Sequence, residues 1–134
     1  MKKLFALILA VTLLCLALPS CAGSSVVKVG FTGSSGANSW SGRFKSYNGW
    51  ETRRITVPDV DENTAMVIGY ALACESGTLR ITVEDSKGLE LVDTGEVTEG
   101  AIHLGNSGKY LLRVIGEGAH NGSFALQWAI KTEQ

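Results

Sequence analysis

Residues 108–130 alternate apolar and polar side chains in two runs, separated by a glycine-rich segment at residues 116–122. One face carries the larger apolar side chains, which are Tyr110, Leu112 and Val114 in the first run and Phe124, Leu126, Trp128 and Ile130 in the second. Alternation with a period of two in aromatic and β-branched residues predicts half-buried antiparallel strands, and the glycines between them predict a hairpin loop. Because an isolated hairpin is only marginally stable in water, a second apolar layer has to cover this one.

The rest of the chain supplies that layer, since the sequence from residue 24 onward contains nine strand-like runs and no amphipathic helix. The clearest further runs are residues 24–31, 65–73 and 79–84. In the last of these, Leu79, Ile81 and Val83 should face the core and Thr82 the solvent. Glycine and serine predict a loop at residues 33–42, and turns are predicted at residues 75–77 and 85–88. We therefore predict an all-β domain over residues 26–131, a single antiparallel β-sandwich with jelly-roll-like connections.

The amino terminus has the pattern of a secretory signal, with two lysines followed by an apolar run at residues 4–18. This run is shorter than the roughly 20 residues that span a bilayer core, so we interpret residues 1–20 as a signal peptide. The segment Leu18-Pro19-Ser20-Cys21 resembles a bacterial lipobox, which implies that Cys21 is acylated and that residues 21–25 form a lipidated tether. The expected location is the extracytoplasmic face of the cell membrane. The alternative is ordinary cleavage after Ala22.

The cysteines fit a lipidated chain better than a disulfide framework. Cys15 leaves with the signal, Cys21 would carry lipid, and Cys74 remains without a partner. A small secreted domain held by disulfides would have an even number of cysteines in its mature part. If Cys21 stays unmodified, a bridge between Cys21 and Cys74 is the alternative.

The most specific functional pattern lies at residues 43–57, where Asn48-Gly49 separates two strand-like runs. Asn-Gly favours a two-residue type I′ turn, because both central residues need a positive φ. In such a hairpin Phe44, Ile55 and Val57 face the core. The opposite, outward side carries Tyr47, Trp50, Arg43, Lys45 and Arg54.

This outward side is the predicted ligand site. Aromatic rings stack on the apolar faces of sugars, and the neighbouring cations would engage acidic glycans or anionic envelope polymers. The hypothesis predicts that Tyr47 and Trp50 are adjacent and largely exposed, and that Trp128 is buried. The structural alternative is a cross-strand aromatic pair that stabilises the hairpin by roughly 0.2 to 1 kcal/mol. A second functional hypothesis is an accessory lipoprotein that binds another extracellular protein through a sheet edge or through residues 33–42.

Composition and motifs argue against several other functions. The formal charge falls from −1 to −3 when Lys2 and Lys3 leave with the signal, which argues against a nucleic-acid partner. No cofactor motif or catalytic residue is predicted, and His103 and His120 lack the spacing of metal ligands. Calcium binding at Asp59, Asp61 and Glu62 stays open: clustered carboxylates could coordinate the ion, but their spacing is not that of an EF-hand.

Short stretches of the second half resemble the bacterial pre-peptidase C-terminal domain. They are GTLRITV at residues 77–83, the DSKG turn at residues 85–88, GKYLLRV at residues 108–114 and GSFAL at residues 122–126. That family is a jelly-roll-like β-sandwich appended to secreted enzymes, where it assists secretion or attachment to substrate. The resemblance covers roughly residues 77–128 and implies a β-sandwich in an extracellular setting. In this sequence the domain follows a lipobox and not a protease domain.

Overall fold

The computed structural model describes residues 25–59 and 64–132, and all of their regular secondary structure is β. The seven strands are β1 (Ser25–Val29), β2 (Thr32–Ser35), β3 (Ser39–Val57), β4 (Thr64–Glu84), β5 (Glu90–Asp93), β6 (Glu99–Leu104) and β7 (Gly108–Thr132). Every pairing is antiparallel, in the order β1-β3-β7-β4-β5, with β2 also on β3 and β6 also on β4. Among these residues no helix is long and apolar enough to cross a membrane.

The three long strands must fold back on themselves. Val57 at the end of β3 lies opposite Gly108 at the start of β7. Thr64 at the start of β4 lies opposite Thr132 at the end of β7. A straight strand of 25 residues would separate the two ends of β7 by roughly 80 Å. The seven peptide steps from Val57 to Thr64 span at most about 25 Å. The two ends of β7 are therefore close together.

The three long strands bend along one line, which we call the crease. It comprises residues 47–49 of β3, 74–78 of β4 and 116–122 of β7, and register shifts mark it in β3 and β4. Residues with positive φ cluster there, namely Gly49 (117°), Gly77 (76°), Gly118 (57°) and Asn121 (49°). A Cβ on Gly49 would overlap the carbonyl oxygen of Ser25, and one on Gly77 would overlap that of Gly118. Space and φ therefore both require glycine at these two positions.

The crease divides the sheet into two layers that pack face to face. The first layer contains β2, β6 and residues 39–47, 64–73 and 119–132; the second contains β5 and residues 49–57, 78–84 and 108–116. Both layers contribute to one hydrophobic cluster, whose largest fully buried side chains include Tyr47, Phe124, Ile68, Ile81 and Leu112. The predicted all-β antiparallel sandwich is confirmed.

The number of strands differs from the prediction because three of them run through both layers. Neither predicted hairpin forms: Asn48-Gly49 lies inside β3, and residues 116–122 lie inside β7. Residues 75–77 likewise bend β4 without ending it. A tight turn and a strand bend both need residues that tolerate positive φ, so the local signal is the same in the two cases. On both sides of the crease β7 pairs with β3 and β4, and this pairing favours a bend over a turn.

The predicted loop at residues 33–42 is also wrong in part. Its first residues belong to β2, and its last residues begin β3, which places Trp40 in a strand with its side chain buried. By contrast, the turn at residues 85–88 is confirmed: the Asp85 carboxylate accepts hydrogen bonds from the backbone amides of Lys87 and Leu89, both at 2.9 Å. Such an Asx arrangement is readable from sequence because the side chain bonds its own neighbours.

Apolar alternation assigned most inward side chains of β4 and β7 correctly, although Ile130, on the same face as Trp128, is 40% exposed. Leu79, Ile81 and Val83 are buried, as expected. Thr82 was expected to face the solvent, yet only 1% of it is exposed. It lies in register between Arg113 and Asp93, and the ion pairs of these two residues with Glu84 and Arg80 lie on the same surface.

Candidate functional site

The five predicted ligand-binding residues do not form one site, and Tyr47 departs furthest from the prediction. Its side chain is 0% exposed, and its ring centroid lies 5.2 Å from that of Phe44 and 5.9 Å from that of Phe124. The predicted outward position is therefore wrong. Residues 47–50 run straight through as one strand, and residues three apart on a strand face opposite sides, so Tyr47 and Trp50 lie on opposite sides of the sheet. Tyr47 cannot present its ring to a ligand.

Trp50 lies half-buried on the outer surface of the second layer, so the expected large exposure is wrong. The Arg113 guanidinium is 4.8 Å from its ring centroid, and the same guanidinium bonds the Glu84 carboxylate at 3.1 Å. Arg54 is exposed on this surface as well. The guanidinium thus covers the indole from within the domain. The cross-strand pair of Tyr47 with Trp50, which was the structural alternative, does not form either. Trp128 is buried, with 6% of its surface exposed, as predicted.

Arg43 and Lys45 lie on the outer surface of the first layer, where they line a groove of about 420 Å³ beside the crease. We call this the crease groove; its lining also includes Gly30, Phe44, Ala73, Asn121, Gly122 and Ser123. The two cations are two residues apart on β3 and therefore point to the same side. Ser123 of β7 lies directly opposite Arg43. Thus residues that are far apart in sequence meet in one depression.

The chemistry of the crease groove suits an acidic group. Neither Arg43 nor Lys45 has an ion-pair partner among the residues that the structure describes. The Ser123 hydroxyl and the Asn121 amide add further hydrogen-bond donors, although the Asn121 amide already donates to Glu75 Oε2 at 3.0 Å. Two adjacent positive charges with neutral donors beside them favour carboxylate, sulfate or phosphate oxygens.

A second, smaller cleft of about 240 Å³ lies at the edge between the layers, and its polar groups bond one another. Glu51 accepts a hydrogen bond from the Tyr47 hydroxyl at 3.0 Å and forms an ion pair with Lys28 at 3.1 Å. Burial, and then the charge and hydrogen bond of Glu51, raise the pKa of Tyr47 well above its ordinary value. Arg53 spans the same edge and donates to Ser35 Oγ and, at 2.7 Å, to the Gly36 carbonyl. Because these charged groups bond one another across the edge of the sandwich, few polar groups of this cleft are left to bind a ligand.

Within the described part of the chain, the residues considered for metal binding form no ligand cluster. Within residues 25–59 and 64–132, no group of three or more His, Cys, Asp and Glu side chains could hold a metal ion. His103 lies on β6 and His120 at the crease, where Nδ1 is 2.8 Å from the Gly118 carbonyl oxygen. Asp59 is exposed. Asp61 and Glu62 lie outside the described residues, so the calcium prediction is untested.

The half-buried Cys74 has no disulfide partner among the described residues, and its Sγ lies 3.5 Å from the Gly77 carbonyl oxygen. Cys21 lies outside the described residues, as does the whole signal segment. The lipidation of Cys21 therefore remains a prediction, and a bridge between Cys21 and Cys74 remains its untested alternative.

No protein-family model matches the chain, and no curated protein matches it. Among solved structures, TmCBM61 in complex with beta-1,4-galactotriose aligns over 82% of this chain and 88% of that chain. The two sequences are 16% identical, and the TM-score is 0.48. A TM-score below 0.5 leaves the two structures too different for the likeness to bear on the ligand of this protein.

Proposed function

We propose that the protein is a non-catalytic binding module for an anionic glycan or envelope polymer, and that the crease groove binds the acidic groups of that polymer. The observation that carries the proposal is the pair Arg43 and Lys45, exposed side by side without ion-pair partners in the described part of the chain. Two arginines of the second layer differ, because Arg80 and Arg113 are paired with Asp93 and Glu84. Unpaired cations keep their full attraction for an external anion.

The exposure of the crease groove points to a polymer and not to a single small anion. Each exposed ion pair contributes only about 0.2 to 1 kcal/mol, and salt screens it. A repeating acidic polymer offers many equivalent groups to the same groove, which raises its effective concentration there. Affinity should therefore increase with polymer length.

Anchoring at Cys21 is the second part of the proposal. The lipobox-like segment supports it, and each buried methylene of an acyl chain contributes about 0.8 kcal/mol to membrane binding. The domain would then hold its polymer close to the extracytoplasmic surface of the membrane.

The test compares two double substitutions that each remove two positive charges. Polygalacturonate is the carboxylated probe and dextran the neutral one, and both are titrated into the full chain and its variants. Arg43→Gln with Lys45→Gln should weaken polygalacturonate binding by about tenfold, which corresponds to roughly 1.4 kcal/mol. Lys87→Gln with Lys109→Gln removes two exposed cations elsewhere and should leave binding nearly unchanged. Equal losses in both variants, or equal binding of dextran, would contradict the assignment.

Binding of another extracellular protein is the second candidate function. Leu89 and Leu91 favour it, because both are exposed at the β5 edge of the second layer. Photocrosslinking from position 91 in cells should yield one discrete protein adduct, whereas crosslinking from position 43 should not. No adduct at position 91 would remove this candidate.

A further inference from the structure

We propose that β1 is the part of the domain that lies on the lipid bilayer, with Val27 and Val29 among the lipid headgroups. The inference rests on the proposed acylation of Cys21 and adds to it the orientation of the domain. It assigns a role to an apolar surface that neither the crease groove nor the core uses.

The length of the tether places β1 at the membrane. Three residues separate Cys21 from Ser25, where β1 begins. Four peptide steps span at most about 14 Å. If acyl chains hold Cys21 at the interface, the first residue of β1 cannot leave its vicinity. The strand either lies along the bilayer or points away from it.

The side chains of β1 favour the first arrangement. Val27 and Val29 share one face and are 67% and 53% exposed. On the other face Val26 packs against the core, and Lys28 forms its ion pair with Glu51. The exposed valines are thus fixed outward by the inward contacts of their neighbours.

The surroundings of the two valines leave them accessible to lipid. Val27 lies opposite Asn48 and Val29 opposite Ser46, both with short polar side chains. Two valines bury too little apolar surface to hold the domain on a membrane alone. Because the acyl chains already supply attachment, the valines need only select the orientation.

Leu91 provides a matched control position. It is an exposed apolar residue on β5, at the opposite end of the strand order from β1. A thiol-reactive fluorophore is placed at Val29→Cys or at Leu91→Cys in the full chain. Both variants also carry Cys74→Ser, and a parent with Cys74→Ser alone measures labelling of any other thiol. The purified proteins are reconstituted into phosphatidylcholine vesicles that contain a lipid with a nitroxide in its headgroup region.

We expect the probe at position 29 to lose most of its emission to the nitroxide lipid and the probe at position 91 to lose little. Equal quenching at the two positions, or stronger quenching at position 91, would overturn the inference. The mass of the mature protein separates this failure from a failure of the proposed anchoring. Acyl groups without selective quenching refute only the orientation, whereas a mature protein without acyl groups refutes both. Polygalacturonate binding in solution depends on neither result.

Discussion

At the scale of single residues, the bond between Tyr47 and Glu51 gives the fold a dependence on pH. The native state keeps the phenol neutral, because burial and the neighbouring carboxylate raise its pKa above the ordinary value of 10.0. In the unfolded chain the phenol ionises at about pH 10. The contribution to stability is therefore complete below that pH and is lost progressively above it, as the unfolded state releases the proton first.

We expect the free energy of unfolding to decline between about pH 9 and about pH 11, and Tyr47→Phe to reduce this decline. At about pH 8 the substitution should cost about 1 kcal/mol through the lost hydrogen bond. Urea unfolding across this pH range measures both effects. Tyr110→Phe is the control, because it removes a 2.7 Å hydrogen bond to the Asn106 carbonyl but leaves Tyr47 in place. An unchanged alkaline decline in Tyr47→Phe would contradict the account.

At the scale of elements, the crease lets three long strands serve both layers. The bends of β3 and β4 lie beside the bend of β7, because both strands are hydrogen-bonded to β7 on either side of the crease. Gly77 is a direct test of this arrangement. Its φ is 76°, and an added Cβ would overlap the Gly118 carbonyl.

Gly88 offers a matched comparison, because its φ is 82° and an added Cβ would meet nothing within 4 Å. Gly88→Ala should cost only the strain of the left-handed backbone, about 1 to 2 kcal/mol. Gly77→Ala carries the same strain and a backbone overlap, so it should cost several kcal/mol more or prevent folding. Denaturant unfolding of the two variants measures the difference. Equal losses would mean that the crease tolerates a side chain and that the proposed geometry is incorrect.

The same elements show what could be predicted from the sequence. Alternation identified the buried residues of β4 and β7, since the period of two depends only on neighbouring residues. It could not distinguish a turn from a bend at Asn48-Gly49, because that choice depends on pairing with residues of β7 that lie about 70 residues further along the chain. The error at this point placed Tyr47 on the outward side beside Trp50, whereas its ring is buried.

Prediction of the candidate site was limited by the same long-range pairing. The outward positions of Arg43 and Lys45 follow from local alternation, since both alternate with the inward Phe44. Asn121 and Ser123 were not among the predicted site residues. Ser123 could be assigned to an outward face from its position before Phe124, but only the pairing of β3 with β7 places it opposite Arg43.

At the scale of the whole molecule, the two layers present different outer surfaces. The first carries the crease groove, whose two cations have no ion-pair partner among the described residues, and the second carries the pairs of Arg80 with Asp93 and of Arg113 with Glu84. Gly30 lines the crease groove and directly follows Val29 of β1. A domain that rests on β1 would therefore hold a bound polymer close to the membrane surface, where an envelope polymer is found.

The most direct test of the proposed function is an NMR titration of the isotopically labelled protein with oligogalacturonate, followed through the backbone amide signals. We expect the largest shifts at residues 43–45 of β3 and residues 121–123 of β7, which line the crease groove. Signals from residues 111–115, near Trp50 on the second layer, should change little. Shifts that cluster around residues 111–115, or no shifts at an oligomer concentration that saturates a weak site, would contradict the assignment of the crease groove as the binding site.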